Sequence, residues 1–121
     1  MVRVAWVAIA GAAGAAARYG VGRAFGVRTF PWPTLAINVT GSLLLGMLLG
    51  AASVRHWPDA VTLALGTGFL GAFTTFSTFS HETVTLARTD RVGLAAAYVT
   101  MSIVAGLGAA AVGWAVGRQL T

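Results

Sequence analysis

GTGFLGAFTTFSTFSHE, residues 66–82, carries no ionisable group before His81 and Glu82. It is therefore apolar enough to lie inside a membrane. Its texture is wrong for a plain lipid-facing helix, which would be built more simply of Leu and Val. Gly66, Gly68 and Gly71 come first, then a dense run of hydroxyls and phenyl rings. Glycine and β-branched Thr both weaken a helix interior. Phe76 and Phe79 are three apart and share a helix face. Thr74, Thr75, Ser77, Thr78 and Ser80 crowd the same segment. Backbone bonding one turn back explains one or two such hydroxyls, not the whole series. An interrupted backbone at membrane depth is tolerated inside protein or along a water-filled path. The stretch reads as a discontinuous spanning helix, broken near residues 71–75, that carries the function.

The composition of the rest agrees. Of 121 residues, 57% are hydrophobic and only 9% charged, against roughly 25% charged in a soluble domain. A span needs about 20 apolar residues, so four spans and short loops use up residues 1–121 as one all-α domain. Such a thin bundle encloses little alone, which favours oligomerisation. The net charge of +5 comes from scattered arginines without lysine. They form no patch for nucleic acid, so anionic lipid headgroups are the expected partners. The absence of cysteine removes thiol and Cys-metal chemistry. The first apolar stretch lacks a clear cleavage site and reads as a retained span.

The spans are expected at about Val4–Val21, Pro33–Ala52, Ala60 to beyond Ser80, and Val92–Val116. Pro33 suits a first helical turn, and Asp59 and Thr89 or Asp90 suit N-caps. Pairs spaced GxxxG occur at Gly46–Gly50 and Gly113–Gly117, each weak evidence in a Gly- and Ala-rich chain. Trp6, Trp32, Trp57 and Trp114 fall near the expected ends, as in interfacial belts. The arginines divide almost evenly between the two sides. No strong positive-inside bias fixes the topology, and insertion in both orientations would permit an antiparallel dimer.

Several residues have two readings. Arg18 near a span's end either snorkels to the interface or supplies a cation to an aqueous vestibule. Asn38 is either an interhelical glue residue or a two-hydrogen donor to a permeating ion. The phenyl rings either pack or present electropositive edges to an anion. Glu82, placed past the span, reads as an interfacial carboxylate. His56 and His81 lack a second ligand at metal spacing. No triad, phosphate loop or carboxylate pair argues for an enzyme.

GAAGAAARY (11–19), PTLAINVTGSLLLG (33–46) and GTGFLGAFTTFSTFSHE together resemble the signatures of the CrcB/Fluc fluoride channels. The match covers three of the four expected spans in order. The resemblance implies a dual-topology antiparallel homodimer in the inner membrane, with two pores that export cytoplasmic fluoride. It implies that Asn38 lines the pore, that Phe76 and Phe79 form a phenylalanine box, and that Ser77, Thr78, Tyr98 and Ser102 form a polar track. Arg18 would lie in the vestibule and Glu82 near the path's other end. A structural sodium would rest on the carbonyls of Gly71 and Thr74. One departure is visible: a further hydroxyl of some relatives falls near Gly106, which cannot supply it.

The physics suits that expectation. Fluoride is tightly hydrated, and moderate donors must replace its water without trapping it. The main rival is a small multidrug-type proton-coupled exporter, which needs a titratable carboxylate within a span, usually the first. A second is a non-transporting helical scaffold.

Overall fold

The computed structural model describes residues 1–120, and among them every regular element is helical. Four segments are long and apolar enough to cross a membrane: Val2–Phe25, Trp32–Val54, Asp59–Arg88 and Val92–Gln119. The first two are helices α1 and α2. The third is composite. It opens with α3 (Asp59–Leu63), widens into a π-helical segment (Ala64–Leu70), and closes its first half with the short α4 (Gly71–Phe73). It resumes as α5 (Phe76–Arg88). The last is α6 (Val92–Gln119). The expected four-span register holds, with each helix a turn or so longer than the apolar core of its span.

The break falls on Thr74 and Thr75. Both are extended, with ψ 157° at Thr74 and φ −151°, ψ 111° at Thr75. Consecutive β-branched residues accept that backbone readily, and Gly71 itself stays helical. The π segment before it is a second irregularity that the sequence pattern does not announce.

Glycine sets the packing. In α2 and α6 the two GxxxG pairs interlock in parallel. A Cβ on Gly46 would fall on the Ala110 carbonyl, and one on Gly113 on the Leu43 carbonyl. Gly50 and Gly117 meet Trp114 and Met47 in the same way. Individually weak signals thus form the tightest seam in the molecule, because close backbone approach is what small residues provide between spanning helices. A second seam joins α1 to the first half of the broken span. A Cβ on Gly14 would strike the Phe69 carbonyl, and one on Gly68 would come within 2.9 Å of the Val7 carbonyl. The second half, α5, packs instead on α6, around the fully buried Tyr98 with Leu35, Leu86 and Ala95.

Two expected caps are replaced. Pro58 occupies the position before α3, so Asp59 lies in its first turn and pairs with Arg3 at 3.7 Å. Arg91 precedes α6 without a side-chain cap, while Asp90 takes φ 57° to turn the connection. Asp is among the residues that tolerate that left-handed geometry. Pro33 occupies the first turn of α2 as expected.

Candidate functional site

An α-helix running unbroken through Thr74 and Thr75 would bond the Thr75 N–H to the Gly71 carbonyl and the Phe76 N–H to the Ala72 carbonyl. The break forfeits both bonds, and buried backbone groups must find other partners. Side chains from α1 and α2 supply them. The Asn38 amide pairs with Thr75 twice: its Nδ2 donates to the Thr75 carbonyl at 3.1 Å, and its Oδ1 accepts from the Thr75 N–H at 2.8 Å. Arg18 Nε donates to the Ala72 carbonyl at 3.1 Å. A cation at the carbonyl end of a helical segment is also favoured by the dipole. Arg18 therefore does more than either sequence reading assigned to it: it is an inward-reaching cap on the broken span. Asn38 spends one of its two amide hydrogens on Thr75 and keeps one.

Thr75 starts the second half. Its Oγ1 accepts from the Thr78 N–H at 3.2 Å, an N-cap bond, and donates to Thr78 Oγ1 at 3.0 Å. Ser77 Oγ lies 3.3 Å from the same oxygen. Two members of the hydroxyl run bond backward, Thr74 to the Leu70 carbonyl and Ser80 to the Phe76 carbonyl. The other three cluster at the start of α5. There the first N–H groups of the helix, on Phe76 and Ser77, have no backbone acceptor among the described residues. A helix start of this kind favours negative charge. On the other side of the break the carbonyls of Gly71, Phe73 and Thr74 likewise lack partners among the described residues.

Two cavities meet at this point. One, about 320 Å³, is lined by Asn38, Ser42, Thr75, Phe76, Phe79 and Ser102, together with Gly71, Thr74 and Gly106. The other, about 330 Å³, is lined by Arg18, Thr34, Thr75, Thr78 and Glu82. Thr75, 9% exposed, is common to both and forms the wall between them. Phe76 stands 79% exposed, whereas Phe79 is partly buried with its ring 5.7 Å from Phe76 and 5.2 Å from Tyr98. Ser102 Oγ is buried with no hydrogen-bond partner among the described residues.

Glu82 lies within α5, beyond the apolar stretch that the sequence reading took as the span. Thr34 donates to its Oε1 at 2.9 Å and Tyr98 to its Oε2 at 2.7 Å. Both oxygens are occupied, which ties α2, α5 and α6 together. Of the expected track, Asn38, Phe76, Phe79 and Ser102 surround the first cavity. Thr78 and Glu82 face the second with Arg18. Tyr98 joins them through Glu82 and Phe79. Ser77 is exposed at the start of α5. Thr75, Thr34 and Ser42 were not among the expected site residues. The spacing of Thr75 to Thr78 matches an N-cap and was the signal available for the first of them. His56 and His81 join no cluster, and the described residues contain no group of three His, Cys, Asp or Glu side chains placed for a metal.

These features define a class: a small multi-pass membrane protein whose third span is broken beside polar cavities. The comparisons with known proteins narrow it. The family model described as "CrcB-like protein, Camphor Resistance (CrcB)" matches residues 5–114, and the chain belongs to that family. It is similar to a protein of Novosphingobium aromaticivorans named "Fluoride-specific ion channel FluC", 46% identical and covering 88% of this chain and 89% of that one. "Fluoride-specific ion channel FluC 1" of Streptomyces avermitilis is 51% identical, covering 87% and 88%. A namesake from Deinococcus radiodurans is 45% identical over 95% and 94%.

Proposed function

We propose that this chain is a fluoride-selective channel and no enzyme, and that fluoride passes along the cavities beside the broken third span. The observation that carries the reading is the buried, unpartnered Ser102 hydroxyl in a cavity that also holds the Asn38 amide and the Phe76 and Phe79 rings. An unpaired polar group in a low-dielectric site costs free energy. A hydrated or partly dehydrated anion passing the cavity offsets that cost. Donors here are moderate: one spare amide hydrogen, hydroxyls, ring edges and the unpaired N–H groups that start α5. Each can replace a water of hydration, and none is a fixed cation that would hold the ion. The Arg18 charge sits in the neighbouring cavity, where it concentrates anions outside the narrow part.

The cavity is open on one side in a single chain, and Phe76 is bare there. An antiparallel homodimer with two pores would close it, and the near-even arginine distribution permits insertion both ways. A structural sodium ion suits the free carbonyls of Gly71 and Thr74, since unwound backbone at a helix break is where transport proteins coordinate such ions. Two copies would contribute both pairs. The sodium would hold the break's first-half carbonyls in place.

Transport in this reading is passive, across the cell's inner membrane. With the cytoplasm negative, one outward anion gains about 2.3 kcal/mol per 100 mV, roughly a 50-fold gradient. The proton-coupled exporter remains the rival, because Glu82 lies on the helix that continues the third span. Fluoride-loaded proteoliposomes read with a fluoride electrode decide between them. Potential-driven efflux without a proton gradient, with chloride hardly permeant, is expected. Strict proton coupling or equal chloride flux refutes the channel.

A further inference from the structure

Several hydroxyls on the spanning helices of this chain bond backward to a carbonyl. Thr83 bonds to Phe79, Thr100 to Ala96, Ser53 to Gly50 and Ser80 to Phe76, at 2.7–2.9 Å. That habit satisfies the hydroxyl and removes it from other use. The Ser102 hydroxyl is buried with no hydrogen-bond partner among the described residues. Ser42 makes no such backward bond either, and both line the same cavity. They come from different helices. Ser42 is one turn beyond Asn38 on α2, on the same face. Ser102 is one turn beyond Tyr98 on α6, and Gly106 follows one turn later. A Cβ built on Gly106 would meet a single neighbour within 4 Å, Ser42 Oγ at 3.9 Å. A side chain at Gly106 would therefore lie in ordinary van der Waals contact with the Ser42 oxygen.

We propose that Ser42 is an ion-contacting residue of this channel: its hydroxyl extends the donor path beyond Ser102, at the position along α6 where Gly106 carries none. The inference rests on the fluoride-channel reading above. Apart from Ser42 and the groups already assigned to the ion or the break, this cavity is lined by Leu45, Leu70, Ile103 and glycines. A hydroxyl from α2 shortens the undonated step. Gly106 then has a definite role, since a side chain there would contact the Ser42 oxygen.

The test is fluoride efflux from proteoliposomes by wild type, Ser42→Ala, Gly106→Ser and the double variant. Ser42→Ala removes one oxygen and no packing volume of consequence. Efflux is expected to fall about tenfold, the size of one charge-assisted hydrogen bond missing at a constriction. The double variant, which returns a hydroxyl from the α6 side, is expected to recover most of it. A Ser42→Ala protein as fast as wild type overturns the proposal. So does a slow Ser42→Ala whose rate the second substitution leaves unchanged, for then the hydroxyl's location is not what matters. Should Ser42→Ala not purify as a single species, the isosteric pair Ser42→Thr and Ser42→Val makes the same comparison. Thr must conduct and Val must not, and equal rates refute the assignment. A wild type without fluoride efflux refutes the channel reading itself, separately from Ser42.

Discussion

Replacing Asn38 by leucine separates its structural duty from its proposed contact with the ion. The side chain makes two bonds to Thr75, at 3.1 and 2.8 Å, and these stand in for helical bonds that the break forfeits. Leucine keeps the branched shape, though with bulkier methyl groups, and leaves the Thr75 N–H and carbonyl unpaired. Each buried group so orphaned costs about 1–3 kcal/mol in a soluble interior. Between spanning helices measured values centre lower, at about 0.6 and up to about 1.7 kcal/mol per bond. The pair together is therefore expected to cost about 1–3 kcal/mol. At about 4 °C per kcal/mol for a chain of this size, melting falls by roughly 4–12 °C. Tryptophan fluorescence in detergent reads it, with Trp6, Trp32, Trp57 and Trp114 as reporters. Asn38→Asp is the companion. It keeps an oxygen for the Thr75 N–H, loses the donor to the carbonyl, and puts a carboxylate beside the cavity. Its melting point should lie between those of wild type and Asn38→Leu, while its fluoride efflux falls by more than tenfold. A leucine variant that melts with wild type would refute the claim that Asn38 closes the break.

Phe76→Ile and Phe79→Ile should both slow efflux with the oligomer retained, and undiminished flux in both removes the rings from the mechanism. Phe79→Ile should also lower the melting point, because Phe79 packs on Tyr98 within the chain. Gly113→Leu should abolish folded protein, since its Cβ falls on the Leu43 carbonyl. Gly108→Ala, with nothing within 4 Å of its Cβ, should be neutral or stabilising by up to about 1 kcal/mol. Size-exclusion profiles tell the two glycines apart. Tyr98→Phe removes the donor to Glu82 Oε2. It should destabilise by about 1.5–3 kcal/mol, as for a hydrogen bond to a charged group, and thermal melting checks it.

What the chain revealed before its structure follows a physical division. Spans are local matters of composition and length, so four were legible, as was a break in the third from glycine and consecutive threonines. The hydroxyl run was read correctly as exceeding what backward bonding absorbs: Thr74 and Ser80 bond back, and three others do not. The partners of the break were not legible. Asn38 and Thr75 are 37 residues apart, and Arg18 and Ala72 are 54 apart. No spacing rule links them, because the helix seams bring them together. The partners of Glu82 were hidden for a related reason: the Thr34 and Tyr98 hydroxyls that hold it come from two other helices. The GxxxG pairs were undervalued because glycine is common throughout, and only their interlocking register gives them weight. The π segment has no signature beyond glycine content, which the break explains equally well.

The central claim is that the cavity beside Thr74 and Thr75 is the ion's route. The chain has no cysteine, so a single introduced thiol reports on its own position alone. Efflux through Ser102→Cys should stop when silver ion binds the thiol. Leu107→Cys, at a residue 70% exposed on α6, should continue to conduct under the same treatment. Silver bound at position 102 with efflux unchanged would place the route elsewhere.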